Sequence, residues 1–173
     1  MMYRLLSYCF LCIAVQSQLS CSEKKALNPK EHEKALFRLL SPDSTYISFN
    51  NQIEENDTFN MVDFFYVYNG GGVAIGDINN DSLPDIYFTG NMVDDRLYLN
   101  KGNLKFEDVS EKAGVNIPGW STGVTMVDIN HDGLLDIYVC RSGNYGPEKR
   151  KNLLYLNQGN LKFKEQAEVY GIA

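Results

Sequence analysis

Asp128, Asn130, Asp132 and Asp136 stand at positions 1, 3, 5 and 9 of the run D-I-N-H-D-G-L-L-D, with Gly133 at position 6. Asp77, Asn79, Asp81 and Asp85 repeat the arrangement in D-I-N-N-D-S-L-P-D, 51 residues upstream. Hard oxygen donors at alternate loop positions suit calcium, which takes roughly six to eight of them, and a backbone carbonyl near position 7 fills a further site. That carbonyl belongs to Leu83 in one copy and Leu134 in the other. Three carboxylates per loop more than neutralise the ion. Without it they repel one another, so each loop is expected to order around the cation. The expected cofactor is therefore Ca2+ at two sites.

A helix–loop–helix calcium loop needs a bidentate acid at position 12. Phe88 and Val139 stand there, and neither can coordinate. The residues after position 9 are I-Y-F-T and I-Y-V-C, short β-branched and aromatic runs that read as strands. The loop is thus expected to join two strands. The competing reading is a polar Asp/Asn/Gly turn that holds no metal.

No catalytic residue is expected. Gly119-Trp120-Ser121-Thr122-Gly123 matches G-x-S-x-G, but a nucleophile elbow needs a strand before the serine and a helix after it. Here Ile117-Pro118 precedes and a strand-like run follows, and only His32 and His131 offer a base. His131 lies inside a calcium loop, where oxygen is the preferred donor. Trp120, Tyr98 and Tyr155 either form a platform for a sugar ring or fill gaps between sheets. Cys140 reads as a small buried apolar side chain.

The elements that must position these loops occupy a chain of 173 residues, 44% hydrophobic and 12% aromatic, with a net charge of −6. Such a composition is globular. An acidic chain whose one basic run is Glu148-Lys149-Arg150-Lys151 makes nucleic acid an improbable partner. Residues 1–20 have the form of an export signal: Arg4, then an apolar core of 11 residues from Leu5 to Val15, then a polar exit. Cys21 after Leu19-Ser20 resembles a lipoprotein cleavage and acylation site, although Gln18 stands where Leu is usual. The expected localisation is export to the outer membrane or cell surface of a Gram-negative bacterium, with plain secretion or an uncleaved membrane anchor as the alternatives. Once a signal is removed with Cys9 and Cys12, and Cys21 carries lipid, no disulfide framework remains.

Residues 21–43 are expected to form a tether and a short helix, with Asn28 as N-cap, Pro29 at its first position and Ser41-Pro42 ending it. Thr45 to Phe49 and Phe64 to Tyr68 read as strands. Two four-strand units then follow. The first enters at Val73 to Asp77, leaves at Asp85 to Thr89, returns at Arg96 to Asn100 and closes at Leu104 to Glu107. In the second the matching runs are Val124 to Asp128, Asp136 to Cys140, Leu153 to Asn157 and Leu161 to Lys164. R-L-Y-L-N-K-G-N-L-K-F-E against L-L-Y-L-N-Q-G-N-L-K-F-K shows how close the copies are, and the second carries six extra residues within Arg141 to Lys151. Repetition at about 50 residues with four short strands each is the pattern of propeller blades. The expected fold class is all-β, a partial β-propeller of two blades, about 64–115 and 119–173, within a domain from residue 44 onward.

The stretches Y-N-G-G-G-V-A-I-G-D-I-N-N-D-S-L-P-D-I-Y-F-T-G-N and G-W-S-T-G-V-T-M-V-D-I-N-H-D-G-L-L-D-I-Y-V-C-R-S-G-N resemble the FG-GAP or VCBS-type calcium-loop propellers. The likeness is greatest to bacterial surface lipoproteins that carry a downstream ASPIC/UnbV module. It implies calcium ligands at the eight Asp and Asn positions above, a six- or seven-bladed ring outside the cell, and binding of a glycan or a protein rather than catalysis. Propellers of this kind also occur in polysaccharide lyases, and a bare scaffold for downstream domains is a third reading. The chain departs from the pattern at Ser82, where Gly is usual, so the first site is expected to be the weaker. It also has only two blades, which suggests the front piece of a longer ring, with completion by another chain as the alternative.

Overall fold

The computed structural model describes residues 36–57 and 59–173. The chain divides into two units, Met1–Leu39 and Leu40–Ala173. In the first, the described residues 36–39 are irregular and exposed. The export signal, Cys21 and the start of the expected helix lie outside the described residues.

In the second unit two four-stranded antiparallel sheets dominate. The first contains β1 (Val73–Gly76), β2 (Asp85–Phe88), β3 (Arg96–Asn100) and β4 (Phe106–Asp108), each paired with the next. The second contains β5 (Ser121–Val127), β6 (Asp136–Arg141), β7 (Leu153–Asn157) and β8 (Phe163–Glu165) in the same meander order. The β-branched and aromatic runs form these strands because each has an antiparallel partner in register, Ile75 opposite Ile86 and Met126 opposite Ile137. One-turn helices α1 (Pro42–Thr45), α2 (Ser110–Ala113) and α3 (Ala167–Tyr170) punctuate the chain. α2 and α3 follow β4 and β8 respectively, and each ends on a left-handed glycine, Gly114 or Gly171.

Side chains alternate across each sheet. Ala74, Tyr87, Leu97 and Leu99 on one face of the first sheet meet Ile137, Val139, Leu153 and Tyr155 of the second to form the main core. The other face of the second sheet packs Leu154 and Leu156 against Ala167 of α3. The sheets approach closely where β1 passes β5. A Cβ on Gly72 would lie 2.6 Å from the Thr122 carbonyl oxygen, and one on Gly76 would lie 2.8 Å from the Met126 sulfur. The G-G-G-V-A-I-G run is glycine-rich at these points because a neighbouring sheet fills the space.

Three expected elements differ. The helix ending at Ser41-Pro42 is not present over 36–40, and α1 begins there instead. Ser41 is its N-cap, accepting from the Asp43 N–H, and Pro42 takes the first helical turn, so the pair is a start signal and not a stop. The run from Thr45 to Phe49 makes no strand. Tyr46 turns left-handed at φ 62°, and the Phe49 ring stacks on Phe88 at 5.0 Å, so the chain crosses the face of the first sheet without joining its ladder. Phe64 to Tyr68 is a pair of linked turns, Val67 N–H to Phe64 C=O and Asn69 N–H to Tyr66 C=O. Upstream, the Asn60 side chain accepts from the N–H groups of Val62 and Asp63, which favours turn over strand. Its aromatics serve a separate cluster in which Phe59 stacks on Trp120 at 5.3 Å and Phe64 meets Trp120 edge-on at 5.2 Å.

Candidate metal centre

The two acidic loops connect β1 to β2 and β5 to β6, and they are built bond for bond alike. In the first, Asp77 accepts from the N–H groups of Asp81 (3.0 Å) and Ser82 (2.7 Å), Asn79 Oδ1 from Asp81 (3.2 Å), and Asp81 from Leu83 (2.8 Å). In the second, Asp128 accepts from Asp132 (3.1 Å) and Gly133 (2.9 Å), Asn130 Oδ1 from Asp132 (3.1 Å), and Asp132 from Leu134 (2.9 Å). Asn79 and Asn130 donate across to Asp81 and Asp132, each at 2.9 Å. Side-chain oxygens therefore point into each loop, as the alternation of positions requires. Among the described residues, the carbonyls of Leu83 and Leu134 accept no hydrogen bond.

The acids at position 9 are different in kind. Asp85 and Asp136 are fully buried. Asp85 accepts from the N–H groups of Ile78 (3.0 Å) and Asn100 (2.8 Å), and Asp136 from Ile129 (3.1 Å) and Asn157 (2.8 Å). Burial pushes both carboxyls above the usual aspartate range; the backbone N–H groups oppose the shift, and the charges of the other two acids of the same loop add to it. Position-1, -5 and -9 carboxylates thus act on one another electrostatically, and a cation between them would reverse that effect.

No group of three or more His, Cys, Asp and Glu among the described residues is drawn together as a finished metal shell. The donor set nonetheless fits a hard cation. Each carboxylate oxygen in these loops carries a single hydrogen bond and keeps a lone pair, as carboxylate oxygens accept two. The Leu83 and Leu134 carbonyls complete the oxygen set. The first loop holds Ser82 at φ 68° where the second holds Gly133 at φ 85°. The left-handed backbone at position 6 is real in both, and only the second has the residue suited to it.

Several residues that fix the loops were not singled out from the sequence. Asn100 and Asn157, the Asn of each L-Y-L-N, receive the tight turn through Gly102 and Gly159 N–H, and their side chains donate to Pro84 and Leu135 carbonyls beside the position-9 acid. Asn157 also donates to the Ile78 carbonyl at 2.8 Å, a strut from the second hairpin into the first loop. Repetition of the L-Y-L-N-x-G-N segment was the available signal. Asp95 is a second hidden centre. It is 1% exposed and accepts from Gly90 N–H (2.8 Å), Tyr87 hydroxyl (3.1 Å) and Ser121 hydroxyl (2.9 Å). Burial raises its pKa above the usual aspartate range, against the pull of those donors.

That contact also settles the geometry of the G-x-S-x-G run. Ser121 opens a strand, and its hydroxyl is held by a buried carboxylate rather than by an imidazole. His131 is exposed at φ 60° in the loop, and His32 lies outside the described residues. Trp120, Tyr98 and Tyr155 are each no more than 1% exposed, so they are packing residues and no open platform. Cys140, expected to be buried, is exposed, because in the alternation of β6 it falls opposite the inward-facing Val139. Among the described residues no helix is long and apolar enough to cross a membrane.

Comparison with known proteins agrees with the loops. The chain is 32% identical over 102 residues to cartilage acidic protein 1 of Xenopus tropicalis, covering 58% of this chain and 15% of that protein. The Homo sapiens protein of the same name is 33% identical over 102 residues, with the same coverage, and the Mus musculus one 33% over 99 residues, with 57% and 15%. The matched part thus spans about 15% of the length of these relatives. Residues 77–139, from the first acid of one loop through the second loop and into β6, match the FG-GAP-like repeat family.

Proposed function

We propose that this chain is a non-catalytic, calcium-stabilised segment of a β-propeller that binds a ligand outside the cell. The observation that carries this reading is the identity of the two loops: the same oxygens accept from the same N–H groups at both, and each loop joins two strands of a four-stranded sheet. The match to the FG-GAP-like repeat supports an extracellular binding role. Asp77, Asn79, Asp81, Asp85 and the Leu83 carbonyl would hold one ion; Asp128, Asn130, Asp132, Asp136 and the Leu134 carbonyl would hold the other. Bound cations neutralise clustered carboxylates and lock the flanking strands. The same reading includes anchorage to the outer membrane through acylated Cys21.

Calorimetric titration of the purified chain with calcium tests the metal. The parent chain is expected to take two ions, and Asp132→Ala and Asp81→Ala one each. Equal uptake by all three proteins would remove the coordination claim.

A further inference from the structure

A second candidate site lies away from the loops. The segment from Ser48 to Gln52 crosses the outward face of the first sheet and borders an open cavity of about 360 Å³ against the β2–β3 loop, β3 and β4. It is fixed in place. Asn51 Nδ2 donates to Asn91 Oδ1 at 2.7 Å while Asn91 N–H donates to Asn51 Oδ1 at 2.9 Å, a reciprocal clamp, and Phe49 stacks on Phe88 at an interplanar angle of 14°. Asn91 is itself buried and tied to the Ser121 carbonyl. The hollow is therefore preformed, and its size falls within the range of small-ligand sites.

Its lining has the chemistry of hydroxyl recognition. Among the described residues, the side chains of Ser48, Asn50 and Asp94 hydrogen-bond to nothing, although all three border the cavity. Arg96 Nε and Asp108 Oδ2 stand 3.8 Å apart, too far for a hydrogen bond but close enough to share the hydroxyls of one ligand. Asp108 is kept in position because its other oxygen accepts from Ser110. Planar amide, carboxylate and guanidinium groups each engage two neighbouring hydroxyls at once. Phe49 adds an apolar side against which C–H groups can lie. Two carboxylates, Asp94 and Asp108, outweigh one guanidinium, so an acidic sugar is disfavoured.

We propose that this cavity binds a neutral sugar residue of a glycan, with Asn50, Asp94, Arg96 and Asp108 holding adjacent hydroxyls. The assignment rests on the surface-binding reading above and gives it a ligand class. The test is titration of the full chain, in calcium, with cellohexaose, xylohexaose and mannohexaose, and with hexagalacturonate as the acidic comparator. Saturable binding of at least one neutral hexasaccharide is expected, with none of hexagalacturonate. Arg96→Ala and Asp94→Ala are expected to weaken it tenfold or more at unchanged melting temperature. Absence of binding by all three neutral sugars, or a preference for the uronate, overturns the assignment. If the sugar binds but both variants match the parent, the cavity is wrong and the surface-binding reading stands. If the variants lose the sugar while chelation leaves melting unmoved, the cavity stands and the calcium part of that reading falls.

Discussion

At position 6 of the two loops, a serine at φ 68° and a glycine at φ 85° perform the same backbone turn. A side chain in the left-handed region costs about 1–2 kcal/mol. Ser82→Gly is therefore expected to stabilise the chain by about 1 kcal/mol in urea denaturation and to bring the first calcium affinity closer to the second. The reverse change, Gly133→Ser, should lower both. This much was legible, since the turn is local and its residue preference is written in the motif. Asp95 was not legible, because its donors come from residues 87, 90 and 121 and meet only after two sheets have packed. Its raised pKa means that the folded chain holds the proton more tightly than the unfolded one. The resulting stability is fully present below about pH 4 and is lost as pH rises through the elevated value. Asp95→Asn removes the titration, so its stability relative to the parent should improve between acid and neutral pH. Asp95→Ala leaves the Gly90 N–H and the Ser121 hydroxyl without their acceptor, while Tyr87 keeps the Val115 carbonyl at 2.7 Å; it should cost about 3 kcal/mol in acid and less at neutral pH.

Strands are legible in the sequence where a repeat supplies the partner, and not where composition stands alone. β3 and β7 have the expected ends, Arg96–Asn100 and Leu153–Asn157. β4 and β8 start two residues later than expected, because left-handed Asn103-Leu104 and Asn160-Leu161 extend the turns. Thr45 to Phe49 has strand-like composition yet lies across a sheet face, where ring stacking replaces the ladder. Propensity describes a residue's fit to a pleated surface, and only pairing makes a strand. Among hairpins, the L-Y-L-N asparagines matter most. Asn157→Ala removes donors to Leu135 and Ile78 and the acceptor for Gly159. Its expected cost is about 2 kcal/mol by chemical denaturation, and Asn100→Ala, with no strut to the other sheet, should cost less.

For the whole molecule, the sheets share one core, but the outward face of the first sheet leaves Val73 53% and Ile75 65% exposed. In the repeat, these positions correspond to Val124 and Met126, which face the core between the sheets. The chain thus has the form of repeating units, each of which covers the next. If the proposed ions are bound, calcium at about 100 times its dissociation constant would add about 2.7 kcal/mol per site, and chelation should lower the melting temperature by roughly 15 °C. Scanning calorimetry with and without chelator measures this, and an unchanged transition would show that the loops stand without metal.

The strut from Asn157 to the Ile78 carbonyl joins a hairpin of one repeat to the turn of the other across 79 residues of sequence. Fluctuations that loosen the first turn must break it, and so must those that unzip the second hairpin. Amide deuterium uptake at Asp81 and Ser82 should therefore track that at Gly159 in the parent protein, and the two rates should separate in Asn157→Ala. The single amide group makes two copies of one motif breathe together.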